Sequence, residues 1–189
     1  MIPLDRYPKE ISLRDGARVT FRPMVREDAE LLWEFFRQIP LEDKMYLRED
    51  VDSREEVDRW ARNLDYDTVL PILAFSDGRV VGDATLHRNR TGWKQRVGTV
   101  RILIAPDFRH RGLGTAMIRE LRHLGEKASL HILLAEVIEK QQAAVRAFEK
   151  LGFERAVVHR NFVNDQHGRL HNLVVRLYPM SLSEDEEFY

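Results

Sequence analysis

The stretch between residues 97 and 137 constrains the fold more than any other. It opens with VGTVRILI, a β-branched apolar run of strand length, stopped by Pro106. FRHRGLG follows, from Phe108 to Gly114. A helix is expected from Gly112 to Glu126, carrying Leu113, Met117, Leu121 and Leu124 at helical spacing. LHILLAEV then reads as a buried strand. Strand, helix and strand in that order form a β-α-β step, whose crossover is right-handed when the strands lie parallel in one sheet.

The flanking sequence supplies further elements. ARVTFRPM alternates apolar and polar residues after the tight turn Asp15-Gly16, so a strand is expected. REDAELLWEFFRQI places Ala29, Leu32, Phe36 and Ile39 on one helical face. Ser53 and Glu56 have the spacing of a capping box, leading a helix striped by Val57, Trp60, Ala61 and Leu64. TVLPILAFSDGRVVGDATLHR reads as a hairpin turning at Asp77-Gly78. QQAAVRAFEKLGF is a short helix with Ala144, Phe148 and Leu151 inward and Gly152 at its C-terminal cap. Strands near residues 155–162 and 172–177 flank the polar turn NDQHGR. The order β-α-α-β-β-β-α-β-α-β-β predicts an α+β fold: a mixed, mostly antiparallel sheet of six to seven strands, a central β-α-β step and helices on both faces. Residues 1–180 are expected as a single domain, with 181–189 an acidic C-terminal tail.

Composition narrows the function. A chain of 189 residues, 43% hydrophobic, suits one sizeable core. Charged residues make up 32%, yet the net charge is −1, so bulk charge does not point to nucleic acid. The basic loop RNRTGWKQR, with Trp93, suits a solvated hairpin loop; an RNA or acidic partner is the other reading. Cysteine is absent, which excludes disulfides, thiolate metal sites and a cysteine nucleophile, and fits a cytoplasmic protein. No signal peptide and no apolar run near ~20 residues are visible, so no membrane partner is expected. His167 and His171 have ligand-like spacing but no supporting carboxylates or cysteines in their turn, so a structural turn and no metal are expected.

FRHRGLG has a specific physical property. A strand that enters a glycine turn and then a helix leaves backbone N–H groups free at the positive end of the helix dipole, which forms an anion site. Gly112 and Gly114 let a ligand approach the backbone, and Arg109 and Arg111 add charge. A solvated basic turn fits the same seven residues. A dinucleotide fingerprint is missing, since Met117 stands where its last glycine would be, and no Gly-Lys-Ser/Thr follows for a P-loop.

Arg109-His110-Arg111-Gly112-Leu113-Gly114 fits the pattern [Q/R]-x-x-G-x-[G/A]. With VRILIAPDF before it and AEV…QQAAVRAFEKLGF after it, the chain from Val19 to about Tyr178 resembles the GNAT superfamily of acetyl-CoA-dependent N-acetyltransferases. ISLRDGARVTFRPMVREDAELLWEFFRQIP is similar to the start of the acetyltransferase domain in bacterial protein lysine acetyltransferases.

The resemblance implies a GNAT fold, acetyl-CoA as co-substrate and no metal. It places the pyrophosphate on the amides of Arg109, His110, Arg111, Gly112, Leu113, Gly114 and Thr115, and the pantetheine arm along Leu103 and Ile104. Gln141 stands where the family commonly has an asparagine, and Phe148 where it often has an acid tyrosine. Thr99 occupies the position of the lysine acetyltransferases' base, and Glu136 ends its strand where the ribosomal-protein N-terminal acetyltransferases place a glutamate base, so the resemblance makes Glu136 the candidate, with Asp83 and His87 as alternatives. The implied function is acetyl transfer to a primary amine, of a protein lysine or a small molecule, by direct attack in a ternary complex. An acyl-CoA sensor with a degenerate site is the alternative, suggested by Phe148 and Thr99. Trp33, Phe35, Phe36, Tyr46 and Trp60 either shape an acceptor pocket or fill the core. Dimers are frequent among relatives, so a homodimer is a further expectation.

Overall fold

A computed structural model describes residues 2–44, 51–165 and 167–180. The acidic tail and Tyr46 lie outside the described residues. The strands are β1 (Lys9–Ser12), β2 (Arg18–Pro23), β3 (Val69–Ser76), β4 (Arg79–Arg88), β5 (Val97–Ile104), β6 (Ile132–Ile138), β7 (Glu154–Asn164) and β8 (Leu170–Pro179). They form one sheet in the order β1-β2-β3-β4-β5-β6-β8-β7. The helices are α1 (Ala29–Gln38), α2 (Leu41–Lys44), α3 (Arg54–Arg62), α4 (Leu113–Lys127) and α5 (Gln142–Lys150). β5, α4 and β6 are the expected β-α-β step, with β5 and β6 parallel. The other neighbouring pairs among the described residues are antiparallel.

Among the described residues eight strands replace the expected six to seven, and the strand missed is β1. It has four residues, too few to display a period of two, and Lys9 sits at one of its inward positions. It pairs antiparallel with β2, Lys9 opposite Phe21, across a turn in which Gly16 has φ +83°. The α3 cap is half of the expected box: Ser53 Oγ accepts the Glu56 N–H at 3.3 Å. The Glu56 carboxylate instead accepts the Trp60 indole N–H at 2.9 Å.

Residues 70 to 74 of β3 are all buried, so both faces of the sheet centre are covered. α1 packs on α3 and β4, while α4 packs on β4, β5 and α5. Phe35 and Phe36 are buried, and Phe36 meets the Trp60 ring edge-on at 6.1 Å; they are core that joins α1 to α3. α4 lies so close to β4 that a Cβ at Gly82 would sit 2.7 Å from Met117 Sδ. The Asp165 carboxylate in the β7–β8 turn accepts from the N–H groups of His167 and Arg169 and from His171 Nε2 at 2.9 Å. His171 is thus turned inward to a carboxylate, and the hydrogen bond from it holds Asp165 well below the usual carboxylate range. Among the described residues no helix is long and apolar enough to cross a membrane, and no three His, Asp or Glu side chains gather as metal ligands.

Glu120 of α4 ties β1 to the helix. It is buried and accepts from Tyr7 Oη and Lys9 Nζ, both at 2.6 Å. Burial pushes its carboxyl up, and the bonds from Lys9 and Tyr7 more than offset that, leaving it below its ordinary value. A depressed carboxyl contributes stability that is present above its unfolded pKa, about 4.3, and lost as pH falls through the folded value. Glu120→Gln should therefore cost about 2 kcal/mol at pH 7. Calorimetry should show Tm lower by roughly 4–8 °C. The difference from wild type should shrink as the pH drops below about 4.

Candidate functional site

β5 and β6 pair at only four positions, from Val97 opposite Ile132 to Val100 opposite Ala135. Beyond them β5 stays with β4 and β6 stays with β8, so a cleft opens between the two strands. Antiparallel ladders alternate which residues point at the partner. The Ala105 N–H donates to Val81 O at 2.9 Å, so Leu103 and Arg101 also turn their backbone groups toward β4. Ile102 and Ile104 turn theirs into the cleft. Leu103, expected to line that edge with Ile104, therefore faces away along its backbone, and Ile102 takes its place. The residue types carry no sign of this; only the register does.

The cleft leads to the N-terminus of α4. Between β5 and α4 the chain makes a 3-10 turn over Pro106–Phe108. His110 then has φ +61° and Gly112 φ +94°. A Cβ at Gly112 would be strained by that φ and would sit 3.2 Å from Arg14 Cγ. Ala116 makes the first intrahelical bond, to Gly112 O at 3.0 Å. The N–H groups of Leu113, Gly114 and Thr115 precede it and have no acceptor within the helix. A Cβ on Gly114 would lie 3.8 Å from Ile104 Cγ1, so the first turn abuts the end of β5.

Arg109 and Arg111 do not offer the free charge expected of them. Arg109 Nη2 pairs with Asp43 at 2.7 Å, and its Nε donates to Ile104 O at 3.3 Å. Arg111 is paired with Asp15, whose carboxyl that hydrogen bond lowers, and its guanidinium stacks 4.3 Å over the Phe108 ring. The two arginines thus fix the shape of the loop, and the donors it presents at its helix end are backbone N–H groups.

Gln141 is at the N-terminal cap of α5, and its Oε1 accepts the Ile138 N–H at the end of β6, at 3.4 Å. Its amide nitrogen remains a donor near the end of β6. Phe148 is buried, edge-on to Phe153 at 5.0 Å, so its ring belongs to the wall between α5 and the sheet. Side chains of residues opposite each other share a face, and successive ones alternate. Gly82, opposite Ile104, faces α4. Leu103 is opposite Asp83, Thr99 is opposite both His87 and Leu134, and Glu136 lies two residues beyond Leu134. Asp83, His87, Thr99, Leu103 and Glu136 therefore share the face away from α4. The three candidate bases are gathered on it: Glu136 exposed, Asp83 and His87 half-buried, and Asp83 accepts from Thr85 Oγ1 at 3.1 Å. At the other end of the β4–β5 hairpin, Trp93 is 94% exposed and stands apart from this cleft.

Arg109→Ala would leave Asp43 and the Ile104 carbonyl without this partner. The half-exposed pair and the single carbonyl bond together should cost about 1 kcal/mol. That is a Tm lower by roughly 2–4 °C in calorimetry.

Comparison with known proteins agrees with this geometry. A model of the acetyltransferase (GNAT) family matches residues 30–153. The [ribosomal protein bS18]-alanine N-acetyltransferase of Escherichia coli K12 is 33% identical over 81 residues, which is 43% of this chain and 54% of that protein. The chain thus spans about half the length of the curated relatives it matches. The GNAT domain of S. lividans PAT superposes with a TM-score of 0.75 at 19% identity, over 91% of this chain and 96% of that one. yncA from Salmonella typhimurium, solved with its cofactor acetyl-CoA, does so with a TM-score of 0.75 at 16% identity, over 88% and 96%. With the family model spanning most of the chain, and a cleft that opens onto a glycine-capped helix, the protein belongs to the acetyltransferase (GNAT) family.

Proposed function

We propose that the chain transfers an acetyl group from acetyl-CoA to a primary amine, by direct attack within a ternary complex. The observation that carries this reading is the continuity of the β5–β6 cleft with the α4 N-terminus. The pyrophosphate of the co-substrate fits the N–H groups of Leu113, Gly114 and Thr115, where Gly112 presents no Cβ. Its amide-bearing arm pairs with Ile102 and Ile104 as an added strand. Gln141 donates to the same arm. The acetyl thioester then lies near the point where the strands diverge.

The attacking amine must be neutral, and it is protonated at neutral pH, so a base is required. Glu136 takes that proton. The amine nitrogen bonds to the thioester carbon, and the oxyanion is held by the Ile102 N–H. The C–S bond breaks as the nitrogen gives its second proton to solvent, and the thiolate leaves and is protonated by solvent, since Phe148 has no hydroxyl. The E. coli relative, named for an alanine of ribosomal protein bS18, and the acetyl-CoA held by the Salmonella structure both support this reading. Protein amines are therefore the first acceptors to screen, with lysines and small-molecule amines beside them. A sensor reading is favoured by Phe148 and Thr99 alone. Thiol release across an amine panel separates the two: sustained release above the hydrolysis background rejects the sensor, and tight binding without release rejects the enzyme.

Gly112→Val should weaken acetyl-CoA binding by more than about tenfold in calorimetric titration, because it fills the cradle and strains the loop. Glu136→Gln should lower kcat by about a hundredfold with little change in KM for acetyl-CoA. If Asp83→Asn or His87→Gln produces that loss instead, the base moves to that residue.

A further inference from the structure

The loop between β4 and β5 lies at the end of the sheet opposite the cleft, outside the proposed chemistry. β5 has eight residues, which puts this loop roughly 25 Å from Ile104 at the cleft edge. From Arg88 to Arg96 the chain carries Arg88, Arg90, Lys94 and Arg96 and no acidic residue. Trp93 stands among them, 94% exposed; the next most exposed large apolar side chain among the described residues is Phe162, at 62%. The loop holds the indole out on a fixed backbone. The Gln95 N–H donates to Gly92 O and the Val97 N–H to Lys94 O, both at 3.0 Å, and Gly92 has φ +88°. Trp93 is thus a central residue of one hydrogen-bonded turn that runs into a second. Lys94 Nζ lies 5.4 Å from the centroid of its ring, and the rest of the ring is bare.

The same loop walls a recess of about 410 Å³, lined among others by Arg88, Arg90, Gln95 and Arg96, with Ser129 from just beyond α4; Asp67 is the one carboxylate of its lining. Arg96 donates to His131 Nε2 at 2.9 Å, which fixes its guanidinium on the wall. Arg88 is engaged by the Tyr66 carbonyl at 2.7 Å. Arg90 reaches Asp65 and Asp67 only at 3.6 and 3.7 Å, and all three side chains are well exposed. Exposed pairs of this kind are worth little in water, so the Arg90 guanidinium can turn to another anion at small cost.

These features discriminate between partners. A membrane surface would bury several apolar side chains, but the other large exposed ones among the described residues are in α2, β7, β8 and ahead of α1. An acidic peptide would use the cations and leave the indole idle. A single-stranded nucleic acid uses both, because its bases stack on an aromatic face whatever their sequence and its phosphates meet the cations alongside. We infer that the β4–β5 loop is a docking surface for single-stranded nucleic acid, with a base stacked on Trp93 and the flanking phosphates held by Arg90, Lys94 and Arg96. This stands independently of the acetyl-CoA reading of the cleft.

The test is fluorescence anisotropy of the full chain with a labelled oligonucleotide of about ten residues, made as RNA and as DNA, with and without saturating acetyl-CoA. Log K should fall by roughly two for each tenfold rise in salt, the slope that three cations give on a single strand, and Arg90→Ala should make it shallower by about 0.7. Trp93→Ala should weaken binding about tenfold or more, and Trp93→Phe should keep part of the affinity. Stacking should also quench tryptophan emission, and Trp93→Ala should lose that quench. The side chain is exposed, so these variants should melt with wild type. Either strand supports the site, and the tighter of the two names its ligand. Absence of salt-dependent binding, affinity unchanged in Trp93→Ala, or a duplex bound as tightly as the single strand overturns the assignment. So does competition by acetyl-CoA, which would put the oligonucleotide in the cleft instead. A polyglutamate peptide or phosphatidylserine vesicles bound with the same dependence on Trp93 would overturn it too, and give the loop to that partner.

Discussion

The sheet is held together at its centre by only four parallel residue pairs. β5 follows β4 over seven pairs and β6 follows β8 over seven, so each strand has a longer antiparallel partner on its other side. Parallel pairing persists only while those two commitments agree. Where they part, the N–H and C=O groups of Ile102 and the N–H of Ile104 are left facing an opening. Backbone polar groups need partners, so the opening is a site that water or a ligand must complete. The end of α4, brought against Ile104, adds N–H groups of its own at one mouth of the cleft. Sheet divergence and helix end together turn a topological necessity into a place for an extended anionic molecule.

Charge is distributed around that place by use rather than by composition. The motif loop is rich in arginine, yet Arg109 and Arg111 are tied to acids contributed by distant parts of the chain. Asp43 lies after α1 and Asp15 lies in the β1–β2 turn, so the loop is clamped from both sides of the molecule. An anion at this helix end would meet oriented backbone dipoles, which need no side-chain ordering when a ligand arrives.

Much of this was legible in the sequence, and the rest was hidden for identifiable reasons. The β-α-β step, the Asp77-Gly78 hairpin and the α3 and α5 stripes follow from periodicity and turn residues. That Asp83 and His87 share a face follows from their spacing in a strand. Adding Glu136 to that face needed the register of three strands. The substitution of Ile102 for Leu103 at the cleft edge needed one hydrogen bond, from Ala105 to Val81, that residue types do not encode. β1 was concealed because its inward lysine looks like a surface residue until Glu120, 111 positions away, is placed beside it. The same separation in sequence hid the partner of Arg109, 66 positions distant, and the place of Arg14 against Gly112.

The contact between Gly82 and Met117 carries a consequence for how such a chain can vary. A single methyl group at position 82 would press on the Met117 sulfur, so either the flexible Met117 side chain must swing aside or α4 must lift from β4. That lift would carry the helix end away from Ile104 and widen the mouth of the cleft. Positions 82 and 117 are therefore one unit of variation: a larger residue in the strand favours a smaller or more yielding one in the helix. Drift at one without the other is recorded at the helix end, in the spacing between the two halves of the site.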